Sequence, residues 1–260
     1  MKLVKRSMPR KMTSIVSMLT SDIDVSISLI YRNREDSRFL ARLDGDWRKV
    51  LERCVQAARG DIFPRNGPVL DGTDSWERVA FKIQLRDGET VEEESHHHVS
   101  CTCPGITSKF VLGASIGDVR FIFTQWLGEC ETYSPSCCGS AEGLASSIKR
   151  MWLEASIMHC DLHAKNVMVD KTSGSSYIID FGMAVCISPS MREQLHAAIE
   201  SNGGNAAAGF DEVCRSFALE AITARGYDVS EDGSWNDDAT FLRDLASDTL
   251  VYKEKDGEDS

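Results

Sequence analysis

The chain has 260 residues and a formal net charge of −11, from 29 Lys and Arg against 40 Asp and Glu. That balance argues against nucleic acid as its main ligand. A hydrophobic share of 42% and a charged share of 27% are those of a globular protein able to bury a core, and no apolar run approaches the ~20 residues of a membrane span. The charge is uneven. Lys2, Lys5, Arg6, Arg10 and Lys11 stand among the first twenty residues without an acid, while residues 226–260 hold eleven acids and three bases. The basic start reads as an unstructured, solvated end rather than a transit or nuclear signal, and residues 226–260 as an acidic tail. Nine cysteines, an odd number with no secretory apolar segment ahead of them, point to a reducing intracellular compartment, cytoplasm or nucleus.

In chain order, Asp46 can cap a helix over 47–58, with Val50, Leu51, Cys54 and Val55 on its apolar side and Gly60 ending it. Strand signals follow at 68–70, 78–84, 109–112 and 119–126. The cluster His96, His97, His98, Cys101 and Cys103 has soft metal ligands at a spacing that fits no familiar zinc finger, and reads as a polar loop. Residues 129–143, with Pro135 and paired Cys137 and Cys138, read as a loop. Leu144, Ile148, Met151 and Trp152 form one buried stripe of a helix over 141–154. A further helix is expected over 210–219.

Two runs carry chemistry: HCDLHAKNVMV at 159–169 and YIIDFG at 177–182. Asp161, Asn166 five positions on, and Asp180 nineteen positions beyond Asp161 supply a carboxylate, an amide and a second carboxylate. Phosphoryl transfer needs this set. Charge spreads over the phosphate oxygens, so a base must orient the acceptor hydroxyl and hard oxygen ligands must hold Mg2+ against the phosphates. His159 reads as a packed hinge of the loop.

HCDLHAKN resembles the H-x-D-L-x-x-x-N catalytic loop of the protein-kinase-like superfamily, and IIDFG its D-F-G segment. The resemblance implies an α+β, two-lobed fold with a small antiparallel β N-lobe and a reduced, mainly helical C-lobe. Its boundaries would be 1–45 for an N-terminal extension, 46–128 for the N-lobe with its preceding helix, 129–225 for the C-lobe and 226–260 for the tail. By the same resemblance Asp161 is the base, Asn166 and Asp180 are the Mg2+ ligands, and Lys82, in the strand Val79-Ala80-Phe81-Lys82-Ile83, contacts the ATP phosphates. Among Glu92, Glu93 and Glu94 the reading favours Glu94 as the partner of Lys82. Gly67 and Val69 fit the end of a phosphate-covering loop whose two earlier glycines fall on Ile62 and Pro64. Thr124 is placed as gatekeeper beside the adenine, with Gln125 to Leu127 offering backbone hydrogen bonds to it, and Asp211 as the tie for the catalytic-loop backbone.

Two departures bear on substrate and control. Cys160 replaces the arginine that pairs with a phosphorylated activation segment in many protein kinases, so no such switch is expected. His163 replaces a lysine that contacts the transferring phosphate, as in aminoglycoside- and choline-type phosphotransferases. The intact D-F-G and the short C-lobe are more similar to compact atypical kinases and those of large DNA viruses. The function implied is an ATP- and Mg2+-dependent Ser/Thr protein kinase acting on a protein hydroxyl. The alternatives are a kinase of small-molecule alcohols and a pseudokinase scaffold.

Overall fold

The computed structural model describes residues 9–33, 38–58, 62–63, 77–85, 91–134, 141–227, 235 and 237–247. The chain divides into two units, residues 1–100 with 108–127 and residues 101–107 with 128–260.

The first unit is a six-stranded antiparallel sheet with helices. Its strands are β1 (Val25–Asn33), β2 (Arg38–Gly45), β3 (Ile62–Phe63), β4 (Arg78–Leu85), β5 (Phe110–Ile116) and β6 (Val119–Gln125), in the spatial order β1-β2-β4-β6-β5-β3. Side chains alternate across a pleated strand, and the register aligns the apolar set: Ala41 opposite Phe81 and Phe81 opposite Phe123, with Phe39 opposite Ile83 and Ile83 opposite Phe121. Phe81 stacks on Phe121 at 5.5 Å between ring centroids. Helix α1 (Arg10–Thr20) gives this core Met12, Val16 and Leu19, spaced for one helical face. Helix α2 (Trp47–Ala57) adds Trp47, Val50, Leu51 and Cys54. The polar positions of β4, Lys82 and Gln84, fall on the opposite side. Helix α3 (Val91–Thr102) is tied there, Glu93 pairing with Arg120 of β6 at 3.1 Å.

One expectation changes here. Residues 10–45 are no extension: they supply α1, β1 and β2, and β2 is hydrogen-bonded along β4 from Arg38–Gln84 to Asp44–Arg78. The expected strand at 68–70 lies outside the described residues.

The second unit is mainly helical, with two small antiparallel sheets. Helix α4 (Ala141–Leu153) buries Leu144, Ile148, Met151 and Trp152 as its periodicity predicts. Strands β7 (Cys130–Thr132), β9 (Val167–Asp170) and β10 (Ser176–Ile178) form one sheet, and β8 (Ile157–Met158) pairs with β11 (Val185–Cys186) in the other. Helices α5 (Pro189–Ser201), α6 (Ala206–Val213), α7 (Arg215–Ala224) and α8 (Asp238–Ala246) follow. Gly209 lets α6 approach α5 closely, since a Cβ there would stand 2.6 Å from the Ile199 side chain and 2.8 Å from its backbone nitrogen.

The single helix expected over 210–219 is broken at Cys214 into α6 and α7. Within the stretch expected as an acidic tail, residues 238–246 are helical, with Asp237 and Asp238 fully buried. The described cysteines carry no disulfide. Among the described residues no helix is long and apolar enough to cross a membrane.

Candidate active site

In the first unit, Lys82 sits mid-strand on β4, and its Nζ meets Glu92 Oε1 at 2.5 Å. The lysine side chain is 15% exposed and the glutamate 4%. The acid expected to hold Lys82 was Glu94, but Glu94 is exposed while Glu92 and Glu93 are buried. Residues one and two apart on a helix face different ways, so of the three successive acids only one can aim at Lys82. Glu93 turns to Arg120, whose own side chain is buried. Burial pushes the Glu93 carboxyl from its ordinary 4.5 up to about 7, with Arg120 pulling the other way.

The hairpin neighbour of the lysine strand also differs from the sequence reading. Gly67 and Val69 lie outside the described residues, and the strand preceding Lys82 in the sheet is β2, itself paired with β1. The connection between β1 and β2, residues 34–37, is Arg-Glu-Asp-Ser and contains no glycine. Thr124 and Gln125 end β6, and the Gln125 N–H donates to the Lys109 carbonyl at 2.9 Å. That amide is therefore committed within the sheet; Leu127 closes the first unit.

The second unit brings Asp161, Asn166 and Asp180 onto two loops laced together. One loop runs from β8 to β9 and the other from β10 to β11; β9 pairs with β10, and β8 with β11. Both loops are thus pinned at each end by a strand pair. Between the pins, the Ile179 N–H donates to the Asn166 carbonyl at 2.9 Å, and His159 Nε2 donates to the Ile179 carbonyl at 2.9 Å. The other ring nitrogen of His159 accepts the Asp161 N–H at 3.3 Å, and its ring lies 5.0 Å from that of Phe181. His159 is fully buried, the hinge its position suggested.

Asn166 Nδ2 donates both to the Asp161 carbonyl at 2.9 Å and to the Asp161 carboxylate at 3.2 Å. Both amide protons are therefore directed at Asp161, which leaves the Asn166 Oδ1 lone pairs for another partner. His163 Nδ1 accepts the Lys165 N–H at 3.2 Å, and its Nε2 stands 3.8 Å from Asp161 Oδ1. Burial lowers the His163 pKa from 6.5, so the ring is neutral at pH 7 and does not reproduce a lysine's charge. The Lys165 side chain is exposed. Asp180 and Cys160 hold left-handed backbone, φ 64° and 62°, and non-glycine residues kept in that region cluster at functional sites.

The tie for the backbone of the loop between β8 and β9 is Asp238, not Asp211. Asp238 Oδ2 accepts Trp152 Nε1–H at 2.8 Å and the His159 N–H at 2.9 Å, while Oδ1 accepts the Cys160 N–H at 2.9 Å. Asp211 instead pairs with Arg215 and Arg243 near the surface. The sequence held one clue: Asp237-Asp238 opens an apolar-periodic run, Ala239, Phe241, Leu242 and Leu245, all buried. Of the His–Cys cluster, His96 hydrogen-bonds the Ser108 carbonyl at 2.8 Å and Cys103 contacts Arg150 and Glu154; no metal-binding group of three His, Cys, Asp or Glu occurs among the described residues.

Residues 106–205 match the model of the ABC1 atypical kinase-like domain. The structure is also similar to that of the Cydia pomonella granulovirus kinase PK-1, with a TM-score of 0.42 and 11% identity over 69% of this chain. The chain spans 61% of that kinase's length. No curated protein matches the chain. The two laced loops with their Asp-Asn-Asp set lie within the stretch that is similar to the atypical kinase-like domain.

Proposed function

We propose that this chain is an ATP- and Mg2+-dependent phosphotransferase that moves the γ-phosphoryl group onto a Ser or Thr hydroxyl of a protein. The observation that carries the reading is the Asn166 amide, which orients the Asp161 carboxylate and keeps its own Oδ1 available. An oxygen of that kind together with the Asp180 carboxylate is the donor set Mg2+ prefers, since it takes one or two protein oxygens and completes its shell with phosphates and water. Asn166 and Asp180 would hold the ion, which when bound neutralises charge developing on the phosphoryl oxygens. Asp161, held by Asn166 through one oxygen, would accept the hydroxyl proton on the other. Lys82, kept in place by Glu92, would face the nucleotide phosphates.

Asp161→Asn should retain the native melting transition and lower turnover by roughly two to four orders of magnitude, the usual worth of a general base. Wild-type turnover in that variant would remove Asp161 from the role. The acceptor is tested with labelled ATP against separate panels of peptides and of small alcohols and amino-sugars, with label on Ser or Thr peptides expected.

A second reading, transfer to a small-molecule hydroxyl, is favoured by His163, whose neutral imidazole stands beside Asp161 where protein kinases place a lysine. Label appearing only on small molecules would establish it in place of the first.

A further inference from the structure

Resting on the kinase reading above, we propose that Arg225, with Tyr227, is a positioning residue that holds the Asp180 turn in its working shape without any phosphate on the segment that follows. Phe181–Met183 is a single 3-10 turn, and its Phe181 carbonyl is satisfied by the Ala184 N–H. The carbonyls after it are the orphan acceptors every short helical turn leaves. Arg225 collects them: Nη2 donates to the Gly182 carbonyl at 2.8 Å, and Nη1 to those of Ala184 at 3.0 Å and Met183 at 3.4 Å. The Tyr227 hydroxyl donates to Gly182 at 3.2 Å, and the guanidinium lies 5.3 Å from the Tyr227 ring. A planar guanidinium serves three successive carbonyls from two nitrogens held in a fixed fork, whereas an ammonium's three donors radiate from one atom.

The location of this fork gives it meaning. Position 160, where many protein kinases carry an arginine that reads a phosphorylated segment, is a buried cysteine. Burial and Asp238 push the Cys160 thiol well above its usual range, and Arg225 is the neighbouring charge that opposes them. A cation from the end of α7 thus serves the vicinity that Cys160 leaves without one. It grips backbone rather than phosphate. Helix α5 opens at Pro189, so only residues 181–188 lie between Asp180 and that helix, and β11 already pairs Val185 with Met158. The turn is held from three sides: Arg225, Tyr227 and the β8–β11 pair.

The experiment compares wild type, Arg225→Gln, Arg225→Lys and Tyr227→Phe in the full chain. Kinetics against Mg2+ are measured beside residue-resolved amide exchange. Arg225→Gln should lower kcat by about 10²-fold, the scale of an ångström-level misplacement. It should also raise the Mg2+ concentration for half-maximal rate, and leave metal-free binding of an ATP analogue unchanged. Exchange should quicken at 181–187 while the His159 and Cys160 amides held by Asp238 stay protected. Arg225→Lys should fall between the two, and phosphatase treatment should leave the wild-type rate unchanged. A wild-type rate and Mg2+ response in Arg225→Gln, or a phosphatase-sensitive wild type, overturns the proposal. If Arg225→Gln lacks a cooperative melt, Tyr227→Phe decides: a roughly 2–10-fold loss of kcat with faster exchange at 181–187 supports the latch, and no change in either overturns it. If wild type neither transfers phosphate nor shifts its melting temperature with nucleotide, the kinase reading has failed. The exchange arm alone then judges the tether, with quickening confined to 181–187 supporting it and unaltered exchange overturning it.

Discussion

Asp238 receives the main-chain N–H of Cys160 on one carboxylate oxygen and that of His159 on the other, both at 2.9 Å. An aspartate 78 residues downstream in sequence thereby fixes the backbone just ahead of Asp161. Burial pushes the Asp238 carboxyl up, while His159, Trp152 and the two amides favour its charged form. Asp238→Ala leaves two amides and an indole N–H buried without acceptors. We expect a loss of about 3 kcal/mol or more, at 1–3 kcal/mol for each unsatisfied group. Urea unfolding measures it; a loss below about 1 kcal/mol would show that the loop between β8 and β9 does not depend on this carboxylate. Asp211→Ala, at an exposed ion pair, should cost less than about 1 kcal/mol.

The pairing of Lys82 with Glu92 makes a prediction that separates three adjacent acids. Glu92→Gln removes the carboxylate 2.5 Å from a lysine only 15% exposed, and breaking a buried pair in this way costs about 3–5 kcal/mol. Phosphoryl transfer should fall with it. Glu94→Gln, on the exposed side of the same turn, should stay within about 0.5 kcal/mol of wild type. Thermal unfolding and turnover of the two variants side by side test the assignment, and a larger defect in Glu94→Gln would reverse it.

Glu93 should give the first unit a pH signature. Its pKa is raised from 4.5 to about 7 in the folded state, mainly by burial. A raised folded pKa means the folded form binds its proton more tightly, so the contribution is fully present below pH 4.5 and is lost as pH rises through about 7. The slope approaches about 1.4 kcal/mol per pH unit within that window. Urea unfolding of wild type and Glu93→Gln at intervals across it should show the slope only in wild type. Identical pH profiles would remove Glu93 as its source.

Much of the second unit was legible because its signals are local. HCDLHAKN and DFG fix residue types within a few positions, and the stripe Leu144, Ile148, Met151 and Trp152 needs nothing beyond its own helix. The misses share a cause, which is that their partners are remote in sequence. Asp238 and Asp211 are both aspartates beside apolar residues, and only burial against Trp152 distinguishes them. Glu92 and Glu94 differ in direction by two helical steps, which no composition reveals. Strand β1 is a different case. Val25-Ser26-Ile27-Ser28-Leu29 alternates apolar and polar as strictly as any described strand, but Gly60 and Gly67 stand nearer Lys82 in sequence and mimic a phosphate-covering loop. The carbonyl fork of Arg225 had no signal at all, since backbone acceptors leave no mark in a sequence.

The descent of β1 and β2 from the first 45 residues also sets an order of events during synthesis. A two-stranded hairpin is marginal by itself in water, and β2 meets its next neighbour, β4, only after Leu43 finds Val79 and Phe39 finds Ile83. Strand β4 in turn takes β6, which ends at Gln125, before Phe81 has both of its aromatic partners. A growing chain must therefore carry the β1–β2 hairpin without these strand partners until Gln125 has left the ribosome. Chaperone contact on the nascent polypeptide should concentrate in that interval, on Phe39, Ala41 and Leu43.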